Sequence, residues 1–140
     1  MTWLISQTDD IPTCRALRRI VFIEEQGVSE ADEVDGRDDA ALHVLATQDG
    51  KPLGCARILI SGDVAKIGRV CVLKEARGTG LGAAIIAACL DAARAQPGTS
   101  IAKLGAQTHA LAFYEKLGFV AFGPVYDDAG IPHRDMERAL

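Results

Sequence analysis

Between a strand-like run that ends at Leu73 and an alanine-rich run that follows, the chain carries Arg77-Gly78-Thr79-Gly80-Leu81-Gly82. No other stretch limits the fold as much. Glycines let the backbone take up positive φ and let a ligand come close to the main chain. The residues from Gly80 to Ala95 are rich in Ala, Ile and Leu and predict a helix, closed by Gln96-Pro97-Gly98. The first amides of such a helix have no partners within it, and its dipole adds partial positive charge at the same end. Strand, glycine turn and helix start together make an anion site that suits a pyrophosphate, with Arg77 adding charge-assisted hydrogen bonds. Glycines at 78, 80 and 82 do not have the spacing of a dinucleotide fingerprint, and no Gly-Lys-Ser/Thr follows, so a Walker loop is excluded. The plainer alternative is a tight turn packed against a neighbouring element.

The rest of the chain frames that turn as part of an α+β fold, read as one domain over residues 1–140. Trp3-Leu4-Ile5 reads as a short strand. Thr8, Asp9 and Asp10 offer helix caps, Pro12 suits a first turn, and Ile11, Cys14, Leu17 and Val21 recur at helical spacing. That helix is expected to run to about Glu25 and to stop at Gly27, with a polar loop and one helical turn up to Asp39. Strands over 41–47 and 53–60 flank Asp49-Gly50, a hairpin signal. A third antiparallel strand, 64–73, contains Gly68, which marks a bend or bulge. Ile101–Leu104 reads as a buried strand, and Ala110, Phe113, Tyr114 and Leu117 lie on one helical face ahead of Gly118. Two closing strands, 119–122 and 133–137, meet at a turn around Asp128-Ala129-Gly130.

Composition narrows the function. A net charge of −4 argues against nucleic acid as a partner, since phosphates call for a basic stripe. Acidic residues crowd between Glu24 and Asp39, a local field suited to a cationic substrate. The four cysteines, at 14, 55, 71 and 89, lack metal-ligand spacing and lie in apolar stretches, which reads as buried thiols in a reducing cytoplasm and no metal. The longest apolar run, Leu81 to Leu90, is too short to span a membrane.

Arg77, Gly80 and Gly82 resemble, position for position, the coenzyme A signature Arg/Gln-x-x-Gly-x-Gly/Ala of the GNAT acyltransferases. The preceding strand Lys66–Val72 is similar to that family's fourth strand. Ala110-Leu111-Ala112-Phe113-Tyr114-Glu115-Lys116-Leu117-Gly118-Phe119 resembles its second signature. Val21–Val28, Glu33-Val34-Asp35, His43, Gly54-Cys55-Ala56-Arg57, Gly130-Ile131-Pro132-His133 and Met136 are similar to the ElaA-type branch. The resemblance implies a mixed, mostly antiparallel sheet of six to seven strands with about four helices, splayed between the fourth and fifth strands. It implies acetyl-coenzyme A as cosubstrate. Val70, Cys71 and Val72 would meet the pantetheine arm, and the amides of Arg77, Gly78, Thr79, Gly80, Leu81 and Gly82 the pyrophosphate. Phe113 and Tyr114 would lie beside the cofactor, and Gln107, where many relatives carry asparagine, would reach the pantetheine. A homodimer is a family-level expectation.

Acetyl transfer to an amine requires an oxyanion donor, for which a backbone N–H near Val72 serves, and an acid for the leaving thiolate, for which Tyr114 is the candidate. An amine of pKa about 10.4 arrives protonated and calls for a base, with Glu24, Glu25 and His43 as candidates. Each has a structural alternative: Tyr114 as a core tyrosine, the glutamates as a solvated helix end, His43 as a satisfied core histidine. Arg57 inside an apolar strand reads first as a salt bridge to Glu33, Asp35 or Asp38 and second as a ligand for a substrate carboxylate. Asp35 and His133 are candidates for lining the acceptor site of a small-molecule or peptide amine. Two competing functions remain. Arg18-x-x-x-Phe22, Glu33-x-Asp35-x-x-Asp38 and Arg57 are similar to acyl-homoserine lactone synthases, although Lys66 stands where those carry glutamate. A coenzyme A-binding module without catalysis would keep the glycine turn alone.

Overall fold

The structure is a computed structural model and describes residues 2–140. Seven strands form one sheet in the order β1-β2-β3-β4-β5-β7-β6: β1 Leu4–Thr8, β2 Leu42–Gln48, β3 Lys51–Ser61, β4 Val64–Val72, β5 Ile101–Gln107, β6 Val120–Asp128 and β7 Ile131–Ala139. Every neighbouring pair is antiparallel except β4 and β5. Four helices accompany it: α1 Ile11–Arg18, α2 Glu30–Glu33, α3 Leu81–Arg94 and α4 Leu111–Glu115.

Local chemistry explains the joints. The Asp10 side chain caps α1, accepting from the Thr13 amide at 3.2 Å. Asp49 and Gly50 both have positive φ, 51° and 79°, as a type I′ hairpin turn requires. Ala129 and Gly130 repeat that geometry between β6 and β7.

Two corrections to the expected elements matter for the site. The first helix is α-helical only to Arg18; residues Arg19–Glu25 widen into a π-helix, in which the Gln26 amide donates to Val21 O at 3.2 Å. The helix that begins at Leu111 is a single turn, so Phe113 and Tyr114 do not share a buried face: Tyr114 is buried and Phe113 is 37% exposed.

Strand alternation sorts the side chains onto two faces. Ala56 and Ile58 of β3 join Ala65 and Ile67 of β4 against Leu81, Ile85, Ile86 and Cys89 of α3. Cys55 and Cys71 point the other way, against Cys14, Leu17 and Val21. Arg57, two residues from Cys55, shares that second face and is buried there.

Candidate functional site

Two irregularities of β4 create the site. On β3, Cys55 faces Cys71 and Arg57 faces Gly68, so two steps on one strand meet three on the other. The extra residue is a β-bulge, and within it Arg69 adopts φ 52°, a strained value for a side chain of its size. Gly68 signalled the bulge in the sequence. Beyond it β4 leaves β5: the parallel ladder holds only Val64 with Ile101, Ala65 with Ala102 and Lys66 with Lys103. A cleft of about 710 Å³ opens where the strands part, lined by Val70 and Val72 on one side and by Leu104, Gly105 and Gln107 on the other.

The glycine turn stands at the end of β4. Gly78 and Gly80 have φ of 74° and 90°. A Cβ at Gly78 would meet nothing within 4 Å, and one at Gly80 only the Trp3 ring at 3.9 Å. The first backbone bond that closes onto α3 runs from the Ala84 amide to Gly80 O at 3.1 Å; the amides of 78–83 find no backbone acceptor among the described residues. Phe113 closes one flank, since a Cβ on Gly82 would lie 3.3 Å from its ring. Arg77 turns back from the mouth: its Nε donates to Val72 O at 3.0 Å and its Nη2 to both Glu25 oxygens, at 3.0 and 2.7 Å.

Tyr114 enters from the α3 side of the sheet and lines the cleft. Its ring packs edge-on to Phe113 and Phe119 at 4.9 and 6.0 Å. Burial, with a smaller contribution from Cys89, pushes its hydroxyl up to about 12, so it stays protonated at neutral pH.

On the opposite face lies a cluster of ion pairs. Arg18, 1% exposed, donates to Asp38 at 2.8 and 3.1 Å and to Glu33. Arg57 donates to Asp38 at 3.1 Å and to both oxygens of Asp35, at 2.8 Å for Oδ1. Arg15 reaches Asp38 at 2.9 Å. The Arg57 hydrogen bonds hold Asp35 well below the usual carboxylate range; bonds from Arg18 and Arg15 do the same for Asp38 against the cost of its burial. Arg69 sits on the cleft side of the cluster, its Nη2 on Asp32 O, Glu33 O and Asp35 Oδ2 at 3.2, 3.1 and 3.4 Å.

Comparison with known proteins matches this architecture. Residues 21–140 match the family described as acetyltransferase (GNAT) domain. The chain is 39% identical to the uncharacterised protein YyaT of Bacillus subtilis over 97% of this chain and 93% of that one. It is 35% identical to ElaA of Escherichia coli over 89% and 84%. An acyl-CoA N-acyltransferase from Pseudomonas aeruginosa superposes with a TM-score of 0.84 at 34% identity, covering 99% of each chain. The chain belongs to the GNAT acetyltransferase family. The expected GNAT sheet and the ElaA-like branch are both borne out.

Within this GNAT domain the sequence-derived candidates divide. Tyr114, Val70, Val72, Arg77 and Gln107 line the cleft, as do Arg57, Asp35 and His133. Gln107 is held across the opening, its Nε2 donating to Gln26 Oε1 at 2.9 Å and its Oε1 meeting His109 Nε2 at 2.7 Å. Cys71 is buried with its Sγ 3.5 Å from that of Cys55, outside the lining side chains.

The three base candidates lie outside the residues that line the cleft. His43 is buried beneath the ion-pair cluster, with Nε2 2.8 Å from Asp38 O, and is not part of the cleft wall. Glu24 is exposed and also outside the wall, and Glu25 is occupied by Arg77. Arg57 takes its first reading, the salt bridge. The residues shared with lactone synthases, Arg18, Glu33, Asp35, Asp38 and Arg57, all belong to the same cluster.

Sequence reasoning missed Arg69, Lys66, Arg37 and Tyr126, all on the cleft wall. Gly105 offered a signal for Tyr126: a Cβ there would lie 2.5 Å from the Tyr126 hydroxyl, which donates to Asp135 at 2.7 Å. Among the described residues no group of three His, Cys, Asp or Glu is arranged to hold a metal, and no helix is long and apolar enough to cross a membrane.

Proposed function

We propose that this protein transfers the acetyl group of acetyl-coenzyme A to a primary amine by direct attack within a ternary complex. The observation that carries the reading is the open turn: unpaired amides at the start of α3, next to the splay between β4 and β5. In this reading the amides of 78–82 bind the pyrophosphate, helped by the helix dipole. Arg77 exchanges Glu25 for a phosphate oxygen. The pantetheine arm extends along Val70–Val72 toward Tyr114, and Gln107 yields its bond to Gln26 to meet it.

The amine nitrogen attacks the thioester carbonyl; a C–N bond forms and the C–S bond breaks. A backbone N–H near Val72 supports the oxyanion. The departing thiolate takes a proton from the Tyr114 hydroxyl, and the proton shed by the amine restores the phenol through His133 or water. His133 suits the relay because Ile131 O, 2.7 Å from its Nδ1, can only accept, which leaves Nε2 with a free lone pair when the ring is neutral.

Incubation with acetyl-coenzyme A and a panel of amines, read as release of free thiol, tests the reaction. Turnover on at least one amine is expected; tight coenzyme A binding with no turnover on any would turn the reading into a non-catalytic module. Tyr114→Phe is expected to lower kcat about a hundredfold with coenzyme A affinity kept. An unchanged kcat would remove Tyr114 as the acid.

A further inference from the structure

The free charges of the cleft are not the ones the sequence advertises. The acidic stretch 24–39 suggested a cationic acceptor, but its carboxylates are largely taken. Glu25 pairs with Arg77, Glu30 with Arg19, Glu33 with Arg18, Asp35 with Arg57, and Asp38 with Arg15, Arg18 and Arg57. The cations on the cleft wall are less well satisfied. Lys66 and Arg37 line it with no carboxylate partner within salt-bridge distance among the described residues.

Arg69 is the central case. Its side chain is 25% exposed, all its protein hydrogen bonds run through Nη2, and Nη1 donates to nothing among the described residues. Its carboxylate neighbours, Glu33 and Asp35, are already committed to Arg18 and Arg57. The bulge that holds Arg69 at positive φ is a local strain that brings its guanidinium to the cleft wall, just ahead of the Val70–Val72 stretch. Two carboxylates also line the cleft without an ion pair among the described residues: Asp32 on α2, and Asp128 at the end of β6, beside Tyr126 and His133 on the far wall.

We infer that the acceptor is an amine that also carries a carboxylate, of the amino-acid type. Arg69, with Lys66 and Arg37, receives the carboxylate on the β4 wall, and the amine is directed to the wall of Asp128 and His133. This rests on the acetyl-transfer reading for the site, but binding of the acceptor can be measured without turnover.

The experiment uses the whole protein loaded with coenzyme A. L-amino acids are compared with the amines that lack only the α-carboxylate, such as lysine with cadaverine and phenylalanine with phenethylamine, by calorimetry and by thiol release from acetyl-coenzyme A. At least one amino acid is expected to bind about tenfold or more tightly than its decarboxylated partner, the size of a charged hydrogen bond. That preference is expected to vanish in Arg69→Gln, to return in part in Arg69→Lys, and to shrink in Lys66→Gln, whose exposed side chain can change without harm to the fold. Unchanged coenzyme A affinity in each variant shows that the domain is intact. Equal or better binding of the decarboxylated amines, or no binding of any amino acid at millimolar concentration, overturns the inference. Carboxylate-dependent binding without turnover keeps the amino-acid site on Arg69 and overturns its role as an acetyl acceptor together with the proposed transfer.

Discussion

The ion-pair cluster under β3 and the glycine turn ahead of α3 are both rich in hydrogen-bonding groups, yet they treat them in opposite ways. In the cluster, Arg18 and Asp38 are buried at 1% and 3% exposure and their charges are met by other side chains. In the turn, the amides of residues 78–83 have no backbone acceptor among the described residues, and a Cβ at Gly78 or Gly80 would meet nothing closer than 3.9 Å. A closed polar group holds a structure; an open one waits for a ligand. The difference teaches which charged residues of a cleft belong to stability and which to binding. Arg69, one end tied to the cluster and the other free, marks the border.

If the cluster is structural, breaking it should unfold the protein and leave the site's chemistry alone. Arg18→Ala takes from buried Glu33 its hydrogen-bonded arginine and from Asp38 one of three, and is expected to cost about 3–5 kcal/mol in urea unfolding. The fraction that still folds should bind coenzyme A as the parent does. A stable variant with lost coenzyme A affinity would erase the distinction between the two regions.

The reverse test acts on the turn. Gly80 sits at φ 90°, and an aspartate there would face the phosphates with both strain and a like charge. Gly80→Asp is expected to weaken coenzyme A binding by about tenfold or more, the size of a lost charged hydrogen bond. Unfolding should shift far less than in Arg18→Ala, because a Cβ at this position meets only the edge of Trp3.

Acid should separate the regions as well. Asp35 and Asp38 have folded pKa values below the unfolded value of about 3.9. Their contribution is therefore complete at higher pH and is lost as pH falls below about 4 toward the folded values. Melting temperature is expected to hold from pH 7 to 5 and to drop below 4, with a shallower drop in Asp35→Asn. An equally steep drop in that variant would remove Asp35 from the account.

The smallest effect is expected at the contact between the regions' surroundings. Glu25 and Arg77 are 32% and 42% exposed, so Glu25→Gln should change stability by no more than about 1 kcal/mol. Coenzyme A affinity should stay or rise, since Arg77 is released for phosphate. A marked loss of affinity would show that Glu25 positions Arg77 rather than competing for it.

Much of this was legible in the chain itself. The strand, glycine turn and helix around Arg77–Gly82, the two hairpin turns, the bulge at Gly68 and the family signatures are short-range patterns, and short-range sterics decide them. Less legible were the π-helical widening of 19–25 and the single turn of α4, because neither leaves a composition signal distinct from an ordinary helix.

By itself the sequence determined the sheet's class, the glycine turn ahead of α3 and the presence of Tyr114 next to the splay. Only the tertiary structure decided which charges are spent. Arg18 and Glu33 lie 15 residues apart and Gln26 and Gln107 81, so no local pattern reveals that they meet; for Arg57 a buried charge called for an acid, but only the fold selected Asp35 and Asp38, at 22 and 19 residues, over Glu33. A carboxylate in an acidic loop attracts a cation when it faces water, and does no such thing once an arginine from a distant strand has neutralised it. That pairing depends on the fold bringing them within hydrogen-bond reach, which is why the acidic loop alone does not tell which of its carboxylates are free, and why Gly68 announced the bulge without announcing where the Arg69 side chain goes.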